Sequence, residues 1–262
     1  MSTEFEMETD GKVVIFTLNR PKANAINAEV SKRMGEAFRA FRDAPDQLVA
    51  IVTGAGERIF SAGWDLKAAA EGGLSEDSDY GLGGFAGLDI LTTCNKPVIA
   101  AVNGVAVGGG VELMLACDLV VASRNSTFSF PETGLGNMAD AGGVQRLPRR
   151  LPKPIALEML LTGRKMSAEE ALGWGLINTV VDSSKVLSEA KQLAGMIAAG
   201  APLSVMAIKE VVREIENLSD QESFEAVKDK RFPTYKAMLD SEDHAEGPRA
   251  FTEKRPPIWL GR

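Results

Sequence analysis

Short runs of β-branched and apolar residues alternate with helical stretches through most of the chain, and this alternation limits the fold more than any other feature. Strands are predicted over residues 12–18 (KVVIFTL), 48–54 (LVAIVTG), 97–104 (PVIAAVNG), 118–123 (DLVVAS) and 176–181 (LINTVV), with a short one before Pro131. Helices are predicted after Asn27, over residues 65–72 (DLKAAAEG) and over residues 111–116 (VELMLA). The apolar residues of the first helix recur at helical spacing, at Val30, Met34, Phe38 and Phe41. Strand–strand–helix units of this kind predict an α/β body.

The character of the chain changes from about residue 142 onward, where helix signals dominate. Ser167 with Glu170, and Ser219 with Glu222, have the spacing of capping boxes, and Pro202 suits a first helical turn. Apart from the last of the strands above, nearly everything after residue 183 is predicted to be helix. We therefore expect a helical appendage at the C-terminal end of the α/β body.

Charge and hydropathy exclude several classes of partner. The 262 residues carry 29 Lys and Arg against 36 Asp and Glu, a net charge of −7, which argues against nucleic acid as a partner. No apolar run reaches the ~18 residues of a membrane span, and the acidic start MSTEFEMETD lacks the form of a signal peptide. Cys94 and Cys117 suit a reducing compartment. The expectation is a cytoplasmic protein without a membrane partner.

The scarcity of histidine limits the chemistry. His244 is the one histidine of the chain, so an HExxH zinc site is excluded and any Ser-His-Asp mechanism would depend on this residue alone. His244 lies in the acidic stretch SEDHAEG, where a solvated helix residue is the simplest interpretation. The motifs GxSxG and GxxxxGK[ST] do not occur. Acid–base chemistry is therefore assigned to carboxylates, and no metal site is predicted.

Two glycine turns stand where strands are expected to lead into helices. The first lies in 59–66 (IFSAGWDL), where Ala62 and Gly63 are small enough for backbone N–H groups to approach a ligand closely. The second lies in 103–116 (NGVAVGGGVELMLA), where three glycines open a helix whose dipole favours negative charge. One N–H from each turn, aimed at one point, would form an oxyanion hole for a thioester carbonyl that becomes an enolate. Two ordinary tight turns are the alternative.

Glu112 and Glu132 are the candidate acid–base pair. Glu112 follows the glycines in the predicted helix, where burial would raise its pKa and the helix N-terminus would lower it. Glu132 follows Pro131 in a predicted loop. If the two carboxyls converge, one can hold a water molecule as base while the other protonates carbon. The structural alternatives are a favourable charge at a helix start and a solvated loop residue.

Further segments suit the walls of a pocket. Residues 136–148 (GNMADAGGVQRLP) contain glycines and Asp140, which fit either a pocket lining or a turn before a helix. Residues 71–84 are acidic and glycine-rich, and fit a surface loop or a lid. Three aromatic residues are candidates for substrate contact or for packing: Trp64, Tyr80 and Phe85.

These segments, in this order, resemble the crotonase (enoyl-CoA hydratase/isomerase) superfamily. The matching pieces are 19–27 (NRPKANAIN), 60–66 (FSAGWDL), 96–113 (KPVIAAVNGVAVGGGVEL), 117–123 (CDLVVAS), 128–136 (FSFPETGLG), 142–148 (GGVQRLP), 161–178 (LTGRKMSAEEALGWGLIN) and 250–257 (AFTEKRPP). They cover nearly the whole chain. The resemblance implies an α/β fold with a crotonase-like spiral of ββα units over residues 1–200. It also implies a C-terminal helical trimerisation region over residues 201–262, in homotrimers or dimers of trimers.

The same resemblance implies a set of site residues. Glu112 and Glu132 match the two catalytic glutamates of the hydratases, and the N–H groups of Trp64 and Gly109 match the oxyanion hole. The positions matched to CoA or substrate binding are Lys22, Ala23, Ala25, Ala62, Gly63, Asp65, Leu66, Asp140 and Lys254. The implied ligand is an acyl-CoA thioester. Because CoA enters as part of the substrate, no resident cofactor is expected.

Within the superfamily, the presence of both Glu112 and Glu132 favours hydration and dehydration over simple double-bond isomerisation. The segments PKANAIN, SAGWDLKAAAEG, GGFAGL and SEDHAEGPRAFTEKRPPIW resemble the branch that interconverts crotonobetainyl-CoA and L-carnitinyl-CoA. The acyl group of that pair carries a quaternary ammonium, which requires aromatic faces, carboxylates or both. The candidates for such a cation-binding wall are Trp64, Tyr80, Phe85, Asp77, Asp79 and Asp89.

Two alternatives stay open. The run ADAGGVQRLP also resembles dienoyl-CoA isomerases, in which an aspartate at the position of Asp140 takes part in proton transfer, and Ala139 stands where many relatives have proline. A general short-chain enoyl-CoA hydratase or isomerase is therefore the first alternative. The second is a non-catalytic CoA-binding or RNA-binding relative, against which the glutamate pair and the acidic net charge both count.

Overall fold

The computed structural model describes residues 4–70 and 79–262. Its strands are β1 (Phe5–Asp10), β2 (Val13–Leu18), β3 (Val49–Gly54), β4 (Ile59–Ser61), β5 (Val98–Val102), β6 (Val105–Val107), β7 (Leu119–Ser123), β8 (Thr127–Ser129), β9 (Met166–Ser167) and β10 (Thr179–Val181). They form a six-stranded sheet in the order β1-β2-β3-β5-β7-β10 and a four-stranded sheet in the order β4-β6-β8-β9. β1 and β2 are antiparallel, and from β2 onward the neighbours in the larger sheet are parallel.

The helices connect these strands and then form the C-terminal part of the chain. They are α1 (Ala28–Asp43), α2 (Leu66–Ala70), α3 (Leu88–Thr93), α4 (Gly109–Ala116), α5 (Gly143–Arg150), α6 (Lys153–Thr162), α7 (Ala168–Gly173), α8 (Val186–Ala198), α9 (Pro202–Ile215), α10 (Asp220–Lys228), α11 (Pro233–Leu239) and α12 (Glu242–Glu253). Single 3-10 turns occur at Phe85–Gly87, Glu132–Leu135 and Ser183–Lys185.

Successive units of the chain add one strand to each sheet. β3 is followed by β4 and α2, and β5 is followed by β6 and α4. β3 and β5 are buried along their whole length, as parallel strands covered on both faces are. The α/β class and the ββα units predicted from the sequence are therefore confirmed.

Helix α1 packs against the sheet as its apolar spacing predicts. The side chain of Asn27 accepts a hydrogen bond from the N–H of Val30 at 2.9 Å and caps the helix. Met34, Phe38 and Phe41 are buried. The ring of Phe38 meets Phe16 of β2 edge to face, with 5.2 Å between ring centroids. The helix therefore covers the β2 end of the larger sheet.

The structure differs from the sequence-based expectation at three elements. The acidic N-terminal segment forms the edge strand β1, in which only Phe5 is buried, so it lacks the alternation that identifies a strand. Helix α4 begins at Gly109, two residues before the predicted start, because glycines carry little helical signal. Glu132 begins a 3-10 turn instead of lying in an open loop.

The predicted helix caps are confirmed in part. Ser219 and Glu222 form a complete capping box at α10, and Pro202 lies in the first turn of α9. Ser167 accepts from the N–H of Glu170, but the Glu170 carboxylate pairs with Arg164 at 2.7 Å instead of returning to the cap. Half of that capping box therefore forms.

The described residues fall into two compact units. One comprises the residues up to Cys94 together with Val98–Ala194, and it contains both sheets; the other comprises Asn95–Pro97 and Gly195–Arg262, and it is helical. The sequence-based boundary between residues 200 and 201 stays a prediction, because compactness within one chain does not test a trimer interface. Among the described helices none alone has the length and hydropathy of a membrane span; Ser183–Ala198 and Pro202–Ile215 pass only when counted together across a bend.

Candidate active site

The two predicted glycine turns lie against each other, where β4 leads to α2 and β6 leads to α4. A Cβ atom on Gly63 would lie 2.5 Å from the backbone nitrogen of Gly109 and 2.7 Å from the carbonyl oxygen of Val107, which is closer than real Cβ contacts. Gly63 also has a φ of +75°, a conformation that favours glycine. Only glycine at position 63 therefore lets the two backbones approach this closely.

At this junction the backbone N–H groups of Trp64 and Gly109 have no hydrogen-bond acceptor among the described residues. Gly109 is the first residue of α4, where N–H groups have no acceptor within the helix. The turn around Trp64 is pinned by Ile26, whose N–H donates to Gly63 at 2.7 Å and whose carbonyl accepts from Asp65 at 3.0 Å. Two such donors beside a helix N-terminus suit an anionic oxygen.

Glu112 lies in the first turn of α4, one turn after the glycines. The residue is 4% exposed, and its Oε1 accepts a hydrogen bond from the backbone N–H of Gly143 at 2.9 Å. Burial raises the pKa of Glu112 to about 7, and the N–H of Gly143 opposes this rise. The charges of Glu132 and Asp140 add to the rise, whereas Arg146 counteracts it. Burial therefore outweighs the hydrogen bond from Gly143 and the charge of Arg146 at this carboxyl.

Glu132 brings a second carboxyl to the start of α4. A Cβ atom on Gly108 would lie 2.5 Å from Oε1 of Glu132, so the carboxyl lies directly against that glycine. Oε2 is buried and has no hydrogen-bond partner within the described residues. Burial raises the pKa of Glu132, and the charge of Asp140 contributes in the same direction. A buried oxygen without a partner is a position for a water molecule or a substrate group.

A cavity of about 660 Å³ brings these groups together. Of the residues predicted from the sequence, Trp64, Gly109, Glu112, Glu132 and Asp140 line it, as do Tyr80, Phe85 and Asp89. The indole Nε1–H of Trp64 is buried without an acceptor among the described residues. Carboxyls and aromatic rings therefore line the same cavity, which also holds unpaired polar atoms of Glu132 and Trp64.

The sequence profile of the enoyl-CoA hydratase/isomerase proteins matches residues 8–262 of this chain. The chain belongs to that family. Carnitinyl-CoA dehydratases from Proteus mirabilis and Salmonella paratyphi A are 53% and 51% identical to it over 262 residues, which is the whole of each chain.

Solved structures agree with this assignment. An enoyl-CoA hydratase from Mycobacterium tuberculosis is 40% identical with a TM-score of 0.89, over 99% of both chains. One from Bacillus anthracis is 32% identical with a TM-score of 0.90, over 99% of this chain and 100% of that one. The resemblance predicted from the sequence is confirmed. The protein is an enzyme of the enoyl-CoA hydratase type, and the cavity is its candidate active site.

The positions that the family matches to CoA binding form two adjoining segments, residues 22–25 and 62–66. The segments are joined by the N–H of Ala62, which donates to the carbonyl of Ala23 at 2.9 Å. Trp64 is the member of these segments that lines the 660 Å³ cavity. Trp64 itself is predicted for the oxyanion hole, and the CoA-binding role stays a prediction for Lys22, Ala23, Ala25, Ala62, Gly63, Asp65 and Leu66.

Asp65 has a structural role that its motif does not reveal. Its Oδ1 accepts from the N–H groups of Lys67 and Ala68, each at 3.1 Å, and so caps α2. Its Oδ2 forms an ion pair with Arg20. Although burial opposes it, the hydrogen bond from Arg20 holds the pKa of Asp65 below its usual range. Asp65 thus fixes the turn that presents Trp64. Lys254, which ends α12 in the helical unit, is exposed, and its role also stays a prediction.

Arg146 of α5 is a residue of the cavity that sequence analysis missed. Its Nη2 donates to Oγ1 of Thr92 at 2.7 Å, and its Nη1 donates to the carbonyl of Ala141 at 3.3 Å. Burial lowers the pKa of Arg146, while the charges of Glu112 and Asp89 oppose the change. The sequence signal for Arg146 is its place in the run GGVQRLP, three residues after the second glycine.

Of the residues predicted for the cation-binding wall, Asp79 does not line the cavity. The carboxylate of Asp79 lies at the surface, where it forms an ion pair with Lys32 at 2.8 Å. That part of the prediction is wrong, because a nearer cation holds the side chain. Asp77 lies outside the described residues, as do residues 71–78 of the predicted loop or lid.

Histidine and cysteine take no part in the lining of the cavity. His244 is exposed on α12, and Cys94 and Cys117 are buried as free thiols. Over residues 4–70 and 79–262, no three His, Cys, Asp or Glu side chains come together as metal ligands.

Proposed function

We propose that the protein catalyses the reversible hydration of a 2-enoyl-CoA to a 3-hydroxyacyl-CoA, with crotonobetainyl-CoA and L-carnitinyl-CoA as its pair. The observation that carries the proposal is the meeting of a buried carboxyl, a partly buried carboxyl and two unpaired backbone donors at one cavity. The named relatives at 53% and 51% identity support the choice of acyl group.

The N–H groups of Trp64 and Gly109 form the oxyanion hole. They hydrogen-bond the thioester oxygen, which gains negative charge as water adds and an enolate forms. Removing one such donor from other acyl-transfer sites costs roughly 3–4 kcal/mol of transition-state stabilisation. The positive end of α4 acts in the same direction.

Glu112 and Glu132 act as the general acid and the general base of the reaction. Hydration places the hydroxyl group of water on C3 and a proton on C2. One carboxyl therefore accepts a proton from the water molecule, and the other donates a proton to C2. Burial raises the pKa of Glu112 to about 7, so this carboxyl can hold or release a proton near neutral pH, and burial also raises the pKa of Glu132. The unpaired Oε2 of Glu132 is a ready acceptor for the water molecule. Dehydration runs through the same positions in reverse.

The remaining features of the proposal follow from the family. CoA lies along residues 22–25 and 62–66, with Lys254 as a further contact, and it enters as part of the substrate, with no resident cofactor. The helical unit, which exposes Ile208, Val212, Phe224 and Phe251, forms a homotrimer or a dimer of trimers. The enzyme works in the cytoplasm.

The test is a spectrophotometric hydration assay with crotonobetainyl-CoA and crotonyl-CoA at equal concentrations. The proposal expects hydration of both, with the higher kcat/KM for crotonobetainyl-CoA. A preference for crotonyl-CoA would replace it by a general short-chain hydratase, and no hydration of either would indicate a non-catalytic relative.

Double-bond isomerisation is the second candidate. One observation favours it, since Asp140 lines the cavity and its charge acts on the pKa of both Glu112 and Glu132. An isomerase would shift the double bonds of a dienoyl-CoA without adding water. Mass spectrometry of the product distinguishes the two reactions, because only hydration adds the mass of water.

A further inference from the structure

The cavity holds a carboxylate that the hydration chemistry does not use. Asp89 lies in the first turn of α3 and lines the cavity. A Cβ atom on Gly84, another lining residue, would lie 3.0 Å from Oδ2 of Asp89, so the carboxylate sits against that wall. Within the described part of the chain, its side chain forms neither a salt bridge nor a hydrogen bond. Asp89 is therefore an anion without a contacting counter-charge.

Carboxyls also outnumber guanidinium groups among the residues that line the cavity. Carboxyls at Asp89, Glu112, Glu132 and Asp140 face guanidinium groups at Arg146 and Arg149. Arg146 forms no salt bridge with Asp89 within the described residues, although the charge of Asp89 acts on its pKa; its Nη2 donates to Thr92 and its Nη1 donates to Ala141. An excess of carboxyls in an enclosed space favours a cationic ligand.

Aromatic rings form a corner on the same side of the cavity. Tyr80 and Phe85 stand at 83° to each other, with 5.8 Å between ring centroids. Phe85 also reaches the oxyanion hole, since a Cβ atom on Gly109 would lie 2.7 Å from its ring. Of the two rings, that of Phe85 therefore lies beside the position of the thioester oxygen, and the ring of Tyr80 lies next to it. A quaternary ammonium forms no hydrogen bonds, and ring faces with a nearby carboxylate are what bind it.

We propose that Asp89, with the aromatic corner of Tyr80 and Phe85, binds the quaternary ammonium of the acyl group and so determines substrate preference. The proposal rests on the proposed function, and it adds which residues recognise the charge. The ring of Phe85 lies against Gly109, and the ammonium of the acyl group is only a few bonds from the thioester oxygen that Gly109 would hold. Asp89 supplies the charge, and the rings supply the apolar faces that the methyl groups need.

The experiment compares crotonobetainyl-CoA with its neutral carbon isostere, in which a tert-butyl group replaces the trimethylammonium group. The two substrates have the same shape, and their difference in intrinsic reactivity is the same for every variant, so a change in the ratio of their kcat/KM values between variants measures recognition of the charge. The ratio is measured in the wild type, in Asp89→Asn, and in Asp46→Asn as a control for net charge, since Asp46 is exposed in the turn before β3. We expect the ratio to fall roughly tenfold in Asp89→Asn and to stay unchanged in Asp46→Asn.

The outcomes separate the two proposals. If the wild type prefers the cation and Asp89→Asn keeps that preference, the role of Asp89 is overturned and the proposed function stands. If the wild type prefers the neutral isostere, the cationic acyl group itself is wrong and both proposals fall.

A second pair of variants tests whether the ring of Tyr80 contributes to recognition of the charge. Tyr80→Phe keeps the ring, whereas Tyr80→Leu removes it. We expect Tyr80→Leu to lower the cation-to-isostere ratio about tenfold and Tyr80→Phe to retain most of it. Equal ratios in the two variants would remove the ring of Tyr80 from charge recognition. Thermal unfolding of each variant shows that a changed ratio does not come from a misfolded protein.

Discussion

The carboxylate of Glu112 is tied to the start of α5 by the N–H of Gly143, which lies 2.9 Å from Oε1. The bond joins two helices that are separated in sequence by the strands β7 and β8. A Cβ atom on Gly143 would lie 2.6 Å from Cβ of Ala139 and 3.3 Å from Oε1 of Glu112. Glycine at position 143 therefore allows the donor to reach the carboxylate, and the bond orients Glu112 toward the cavity.

The first prediction concerns the stability of the protein as a function of pH. Because burial raises the pKa of Glu112 from an ordinary value of 4.5 to about 7, the folded state binds more protons than the unfolded state between these values. The free energy of unfolding therefore contains a contribution that is lost as the pH rises through this window, roughly 3 kcal/mol in all. We expect Glu112→Gln to be more stable than the wild type at about pH 8 and to lose this advantage near pH 4.5.

Urea unfolding at a fixed protein concentration measures this difference. Glu36→Gln is the matched control, because Glu36 is exposed on α1. A constant difference in stability between Glu112→Gln and the wild type at both pH values would contradict a raised pKa for Glu112.

The second prediction concerns the pH dependence of the reaction. The charge of Asp140 raises the pKa of Glu112, and the charge of Arg146 lowers it. Asp140→Asn should therefore move the inflection in kcat/KM against pH to lower pH, whereas Arg146→Gln should move it to higher pH. Arg146→Lys keeps the charge and should leave the inflection close to that of the wild type. Shifts in the same direction for Asp140→Asn and Arg146→Gln would show that the inflection does not report Glu112.

How far the sequence predicts this site depends on whether a residue's role is local. The glycine turns and Glu112 are predictable, because strand, turn and helix are consecutive in the chain and the helix start carries its own signal. Asp65 is also local, yet its pairing with Arg20 joins segments that only the fold brings together. Its structural role therefore could not be predicted from its motif.

Other features depend on long-range packing. Arg146 and Asp89 both line the cavity because α5 and α3 each pack against α4, and no spacing rule in the sequence indicates this packing. For the same reason, the sequence does not predict the direction in which the pKa of Glu112 shifts, because the rise depends on how deeply the folded chain buries this carboxyl. The nearness of Asp79 to Tyr80 in sequence suggests a place in the cation-binding wall, but it does not indicate the ion pair that Asp79 forms with Lys32 of α1.

The third prediction tests the close approach of the two glycine turns. Gly63→Ala would place a Cβ atom 2.5 Å from the nitrogen of Gly109, so one of the two oxyanion donors must move. We expect kcat to fall by about 10²–10³-fold, as for loss of one donor in other oxyanion holes. Gly56→Ala is the matched control: Gly56 has a φ of +82° and nothing within 4 Å of a Cβ atom.

Both substitutions carry a similar backbone strain of about 1 kcal/mol, because each forces alanine into a left-handed conformation. They differ in the clash at the oxyanion hole. Melting temperatures therefore check that the strain is matched, and kcat reports the clash. Equal kcat values for Gly63→Ala and Gly56→Ala would remove the junction of the two turns from the reaction.

The most direct measurement of the central claim is the hydration rate of Glu112→Gln, Glu132→Gln and the double variant, each with the better of the two enoyl-CoA substrates. Both carboxyls line the cavity and are replaced by amides of the same shape. The account predicts that each single variant loses about 10²–10⁴-fold in kcat, because one general acid or base is removed. The double variant should lose little more, because the two glutamates act on one water molecule and one proton transfer. All three should still bind CoA thioester. Near wild-type turnover in either single variant would contradict the account.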